Sequence, residues 1–266
     1  MFANITEDDA RAKGYIKGNL KKDEVFALLK RTTTPTTIYK KQKLDRDDVV
    51  DITSFDVVAW LKTEMRMMLN EEIARAALVG DGRLSSSDDK INEANIRPIW
   101  TDESLFTIKT RYSVKNLAED DAAREFIRKA IKSRKDYRGS GEPTLYTTED
   151  VLTSMLLIED STGRVIYDSV EKLKSTLRVK NIIAVPVMEG LKRTDASVLY
   201  NLQGIIVNLS DYNIGADKGG AVNMFDDFDI DYNAQKYLIE TRCSGALVTP
   251  YSAIAIESTT ADLPVV

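Results

Sequence analysis

Histidine is absent from this chain, and that absence excludes more than any residue present establishes. Without the usual neutral-pH general base and commonest metal ligand, Ser-His-Asp, Cys-His and HExxH schemes are ruled out. The lone cysteine, Cys243, permits no intrachain disulfide and leaves no cysteine-based zinc cluster. No apolar run approaches the roughly 20 residues of a membrane-spanning helix. The opening MFANITEDDARAKGY has no apolar core of a secretory signal, so cytoplasmic synthesis is expected and the sequons at Asn4 and Asn208 carry no consequence. An excess of positive charge is also missing. A net charge of −5 argues against a dedicated nucleic-acid binder, though not against incidental contact. Carboxylate- or lysine-based chemistry is what survives.

What is present is enough apolar sequence, 43%, for one large domain or two smaller ones. Residues 1–33 are charged and sparsely apolar, with Lys21, Lys22, Lys30 and Arg31 among a cluster of bases around Gly14 and Gly18. They read either as a solvated tail or as a loop that orders against a neighbouring subunit. Thr32 to Lys43 reads as a strand with Pro35 near its start, and Asp45 to Ile52 as an acidic turn. A long helix follows from about Phe55 to Leu78, with Thr53 or Ser54 as N-cap, Asp56 in its first turn and Gly80 as terminator. Its stripe of Val57, Trp60, Leu61, Met65, Met68, Leu69, Ile73, Ala76 and Ala77 recurs at three- and four-residue spacing. Such a stripe is expected to pack against a sheet; its methionines could instead form an adaptable groove.

Further on, a strand is expected near Phe106 to Tyr112 and a helix from Asp120 to Lys135. A strand at Thr144 to Tyr146 then precedes a Thr148-capped helix from Glu149 to Ile158. A helix at Val170 to Thr176 and a strand at Ile182 to Val187 continue the α/β alternation. Beyond Tyr200 the chain turns β-rich, at Leu202 to Leu209, Lys236 to Thr241 and Ala246 to Ile256.

Four features invite chemistry, and each has a plainer explanation. Ile214 to Gly220 is glycine-rich, but Lys218 precedes Gly219 and no Ser or Thr follows, unlike a phosphate-binding P-loop. Asp227, Asp229 and Asp231 alternate like a calcium loop, yet Tyr232 and Leu238 stand where Gly and Glu are required; an acidic strand face is expected instead, with Phe228, Ile230 and Tyr232 opposite. Asp81, between Gly80 and Gly82, reads as turn chemistry. Cys243 reads as a buried small residue. No catalytic residue, cofactor or metal site is expected, and the protein is expected not to be an enzyme.

Four blocks in order, TTPTTIYKKQKLDRDDVVD (33–51), EEIARAALVGDGR (71–83), DKINEANIRPIW (89–100) and RCSGALVTPYSAIAIE (242–257), resemble the HK97-like major capsid proteins of tailed bacteriophages. The resemblance implies an α+β subunit. Residues 1–35 would form an extended loop, 36–118 the first part of a peripheral domain with a spine helix at 55–78, 119–221 an axial α/β domain, and 222–266 the rest of the peripheral domain. It implies self-assembly into hexamers and pentamers of an icosahedral virion shell around double-stranded DNA, in the cytoplasm of a bacterial host. Portal, scaffolding and prohead protease proteins would be partners, and no membrane. Lys21, Lys22, Lys30 and Arg31 would be intersubunit loop contacts, with Trp60, Met65, Met68 and Leu69 as packing positions of the spine. The early lysines could also cross-link covalently to neighbours. Relative to the family, the N-terminal arm and any scaffolding region are expected to be lacking. The alternatives are an encapsulin-like compartment shell and an α/β enzyme using carboxylate or lysine chemistry.

Overall fold

A computed structural model describes residues 31–51, 56–217 and 222–262, with the backbone of two short strands nearer the start. The chain divides into two compact units, Met1–Thr33 and Thr34–Val266. In the first, β1 (Phe2–Asn4) pairs antiparallel with β2 (Ala27–Leu29). Lys21, Lys22 and Lys30 lie outside the described residues, and Arg31 belongs to this unit.

The second unit opens with β3 (Thr36–Asp45), whose Ile38 is buried between exposed Thr37 and Tyr39. Where an acidic turn was expected, Arg46–Asp51 forms a short helix, α1, with Asp47 and Asp48 at its positive end. The long helix α2 (Val57–Leu78) follows, about 33 Å long at 1.5 Å per residue. Its N-cap is Asp56, whose carboxylate accepts from Ala59 N at 2.9 Å, rather than Thr53 or Ser54. At the other end Val79 N and Gly80 N both donate to Arg75 O, and Gly80 takes φ +94°, the left-handed turn that glycine adopts at least cost.

One stripe of α2 enters the core. Leu61, Met65, Leu69 and Ala76 cluster with Ile38, Ile91, Ile96, Tyr237, Ile239 and Cys243. Trp60 and Met68 do not share that burial: they remain 53% and 38% exposed. The segment VVAWLKTEMRMML is apolar on more than one side, and the sheet beneath covers only one. Periodicity alone therefore assigned both stripes to the core.

The remaining elements are, in order, β4 (Thr107–Ser113), α3 (Glu119–Ser133), β5 (Thr144–Thr147), α4 (Glu149–Leu156), α5 (Val170–Leu177), β6 (Ile182–Ala184), β7 (Lys192–Asp195), β8 (Val198–Val207), β9 (Tyr212–Ala216), β10 (Asn223–Asp229), β11 (Ala234–Leu247) and β12 (Ala253–Thr259). They build two sheets. In the smaller, β11 pairs antiparallel with β3 along one edge and with β9 and β10 along the other. In the larger, the order is β4-β12-β8-β5-β6 with β7 added to β8. β12 runs parallel to β4 and antiparallel to β8.

These sheets cross the boundaries expected at 118/119 and 221/222. β4 and β12 join β5, β6 and β8, while β9 joins β3. The physical reason is the burial of β12, in which every residue from Ala253 to Thr259 is buried. A strand buried on both faces belongs inside a sheet covered on both sides. Its Ile254 and Ile256 pack with Phe126, Ile127, Leu173 and Leu177 of α3 and α5. On the opposite face, Thr107 Oγ1 donates to Ile99 O at 2.7 Å, and Trp100 reaches across to β12.

Candidate functional site

The features that invited chemistry resolve into structure. Tyr212–Ala216, the start of the glycine-rich stretch, is a strand paired to Cys243–Leu247, so no loop-to-helix phosphate cradle forms there; Lys218 to Gly220 lie outside the described residues. Asp227 and Asp229 sit on β10, but the strand stops at Asp229 and Asp231 lies in the following single turn, Ile230–Tyr232. Asp229 is ion-paired with Lys236 Nζ at 2.5 Å. Among the described residues no group of three or more His, Cys, Asp or Glu side chains is placed to hold a metal ion. Cys243 is buried, which pushes its thiol pKa up and away from the reactive thiolate.

Asp81 is a clip. Its carboxylate is nearly inaccessible (4% exposed) and accepts from Ile91 N at 2.8 Å, Lys90 Nζ at 3.0 Å and Arg83 N at 3.2 Å. Burial pushes its pKa up, but the bonds from Ile91, Lys90 and Arg83 outweigh this and hold it below the usual carboxylate value. The GDG turn at the end of α2 is thereby fastened to residues 90–91.

A second buried carboxylate, Glu257, escaped the sequence reading. It lies on β12 with no solvent exposure. Oε1 accepts from Trp100 Nε1 at 2.8 Å and Arg193 Nε at 2.5 Å; Oε2 accepts from Arg193 Nη2 at 3.0 Å and Arg111 Nε at 3.1 Å. Arg111 also bonds Asp195 and stacks 4.1 Å above the Tyr200 ring. Burial opposes ionisation of Glu257, yet Arg193, Trp100 and Arg111 together hold its pKa below the ordinary value. Four donors occupy about all the lone-pair sites a carboxylate offers. None is left to take a proton from a substrate, so this cluster ties strands together. A signal for it existed: an acid closing the apolar run AIAIE demands buried cationic partners.

The remaining conspicuous feature is surface. Tyr39 on β3, Trp60 and Met67 on α2, Phe225 on β10, and Ile230 and Tyr232 in the turn are 47–85% exposed. Large exposed apolar groups on neighbouring elements mark surfaces for contact with other macromolecules. Of the four expected packing positions of the spine helix, Met65 and Leu69 lie together in the core, while Trp60 and Met68 remain exposed. Among the described residues no helix is long and apolar enough to cross a membrane.

No protein-family model and no curated protein matches the sequence. Solved structures do match. The chain is similar to the capsid of a native GTA particle, with a TM-score of 0.63 and 12% identity over 94% of this chain and 81% of that one. It is similar to a structure from Mycobacterium phage Bobi at TM-score 0.61 and 12% identity, covering 93% and 81%. A virus-like particle from Pyrococcus furiosus matches at TM-score 0.55 and 15% identity, covering 89% and 83%. The chain has the HK97-like capsid fold, with mixed helix and sheet.

Proposed function

We propose that this protein is the major capsid protein of a tailed phage or prophage, a structural subunit that assembles with itself into the hexamers and pentamers of an icosahedral shell around double-stranded DNA. The observation that carries this reading is the extent of the likeness to a capsid structure, which covers 94% of the chain. Two features agree with it. The conspicuous buried carboxylates, Asp81 and Glu257, are saturated by structural donors, and large apolar side chains face solvent on α2 and the smaller sheet. Portal, scaffolding and prohead protease proteins are the partners such a subunit would meet, in the cytoplasm of the host and then in the virion. The 119–221 region would contribute the contacts around the five- and six-fold axes.

The test is electron microscopy and sedimentation velocity of the purified chain over a range of concentration and salt. Rings or closed particles are expected. A protein that stays a compact monomer throughout would overturn the assignment. The likeness to a virus-like particle from Pyrococcus furiosus supports a second reading, a compartment shell with protein cargo. Particles purified from the native host separate the two by holding either double-stranded DNA or a co-purifying protein.

A further inference from the structure

The smaller sheet carries opposite charge on its two edges. β3 forms one edge and brings Lys40, Lys41 and Lys43 along its length, before Asp45 at its end and the mixed charges of α1. β10 lies on the other side of β11 and brings Asp226, Asp227 and Asp229, with Asp231 in the next turn. The register across the sheet runs Lys43–Lys236–Asp227 and then Lys41–Leu238–Phe225. β11 stands between the edges, so the outer strands are two strand spacings apart, roughly 9–10 Å; the Lys43 charge is felt by Asp229 across it, but no ion pair among the described residues joins the two edges.

Part of this charge is already used. Asp229 pairs with Lys236, and the Lys43 ammonium lies 4.1 Å over the Tyr232 ring. Asp227, opposite Lys236 in the register, and Asp231 also act on the Lys236 ammonium, while no ion pair among the described residues takes up Lys40, Lys41 or Asp226. The apolar groups beside them are open too: Tyr39 on the basic edge is 56% exposed and Phe225 on the acidic edge 52%. An open cleft of about 310 Å³ separates Thr36–Lys41 from Asp88–Ile91, and the Tyr39 hydroxyl donates to Asp89 across it.

We propose that these edges meet between copies of the chain, the acidic β10 edge of one subunit docking on the basic β3 edge of the next. The inference rests on the self-assembly reading and specifies one of its contacts. Charge decides the symmetry. A two-fold contact of the β10 edge with itself would set Asp226 and Asp227 against aspartates, and one of the β3 edge centred on Lys40 and Lys41 would set lysines against lysines, which is repulsive. Basic against acidic is a heterologous, head-to-tail contact, the kind that propagates and closes into rings. Tyr39 and Phe225 would supply apolar area beside the ion pairs.

The experiment compares the full chain, K40E/K41E, D226K/D227K and the four-substitution swap by sedimentation velocity and negative-stain microscopy. These side chains are at the surface or half-buried, and thermal unfolding of each variant verifies that the subunit still folds. Each reversal is expected to lower the assembled fraction about tenfold, and the swap to restore it. Raising sodium chloride from about 50 mM to about 500 mM should weaken the wild-type contact. Reversals that assemble like wild type would overturn the edge contact and leave the shell reading standing, as would a folded swap variant that fails to recover. A wild-type chain that never assembles sinks both. Unchanged assembly with lost retention of double-stranded DNA would assign the lysines to nucleic acid, and overturns the contact.

Discussion

The indole N–H of Trp100 donates to the Glu257 carboxylate at 2.8 Å across 157 residues of chain, joining the segment after α2 to β12, an interior strand of the larger sheet. Arg111 and Arg193 complete the same carboxylate. Glu257→Gln keeps the shape but removes the charge that both guanidinium groups are buried against. Breaking a buried pair in this way costs about 3 kcal/mol or more, so Tm should fall by about 6–12 °C for a unit of this size. The pH dependence has a definite sign. The folded-state pKa of Glu257 lies below its ordinary 4.5, so the unfolded chain binds the proton more readily. The stabilisation is complete above the ordinary value and is lost as pH falls towards and through the folded one. Thermal unfolding between about pH 6 and about pH 3 should show a shallower acid decline in Glu257→Gln than in the parent.

Met65 and Met68 sit three residues apart on α2 and should respond differently. Met65 is fully buried and Met68 is 38% exposed. Met65→Ala removes packing from a closed core and should cost about 2–5 kcal/mol. Met68→Ala should cost about 1 kcal/mol or less and act, if at all, on assembly. Urea unfolding followed by circular dichroism measures both. Equal losses would show that the two stripes of the helix are buried alike.

That pair also shows what could be read from the residues alone. The body and end of α2 were legible because three- and four-residue periodicity and Gly80 are local signals. Its start was blurred by capping-type residues at Thr53, Ser54 and Asp56, any of which can satisfy the first free amides. Which of two apolar stripes is buried depends on the width of a sheet formed by β3 and β11, almost 200 residues apart in sequence. Sheet membership was hidden for the same reason: the β4–β12 pairing, such as Arg111 with Glu257, has no local trace. Glu257 itself was legible in principle, since an ionisable group at the end of AIAIE is costly without partners.

Gly139 is crowded by neighbouring side chains. A Cβ there would stand against the Tyr137 hydroxyl and 2.9 Å from Asp211 Oδ2, in a knot where Asp211 also accepts from Ser140 N at 2.8 Å. Burial, with the Asp211 carboxylate beside it, pushes the Tyr137 pKa up to about 12. Gly139→Ala should destabilise by about 1–3 kcal/mol. Gly190→Ala is the control: no atom lies within 4 Å of its added Cβ, and only its φ of +66° resists the change. Thermal unfolding of the two variants separates crowding from backbone strain.

Asp81 makes the most local prediction. Its carboxylate holds Ile91 N and the Lys90 ammonium, while the peptide between Gly82 and Lys90 is held elsewhere by Arg83 Nη1 to Asp89 O at 3.1 Å, Lys90 Nζ to Arg83 O at 3.0 Å and the Arg83–Glu72 ion pair. Asp81→Ala leaves a buried amide without its acceptor, a loss of about 1–3 kcal/mol. The loss should be confined to the turn after α2, because Leu69 and Ala76 share their cluster with Ile38, Ile96 and Ile239 as well as with Ile91. Hydrogen exchange at the Ile91 amide should therefore accelerate by about ten- to a hundredfold, while amides in the middle of α2 keep their protection. Uniform acceleration along α2 would instead make Asp81 a support of the whole helix. Because this turn borders the cleft beside β3, the same variant should also weaken assembly if the basic edge is the surface that the next subunit meets.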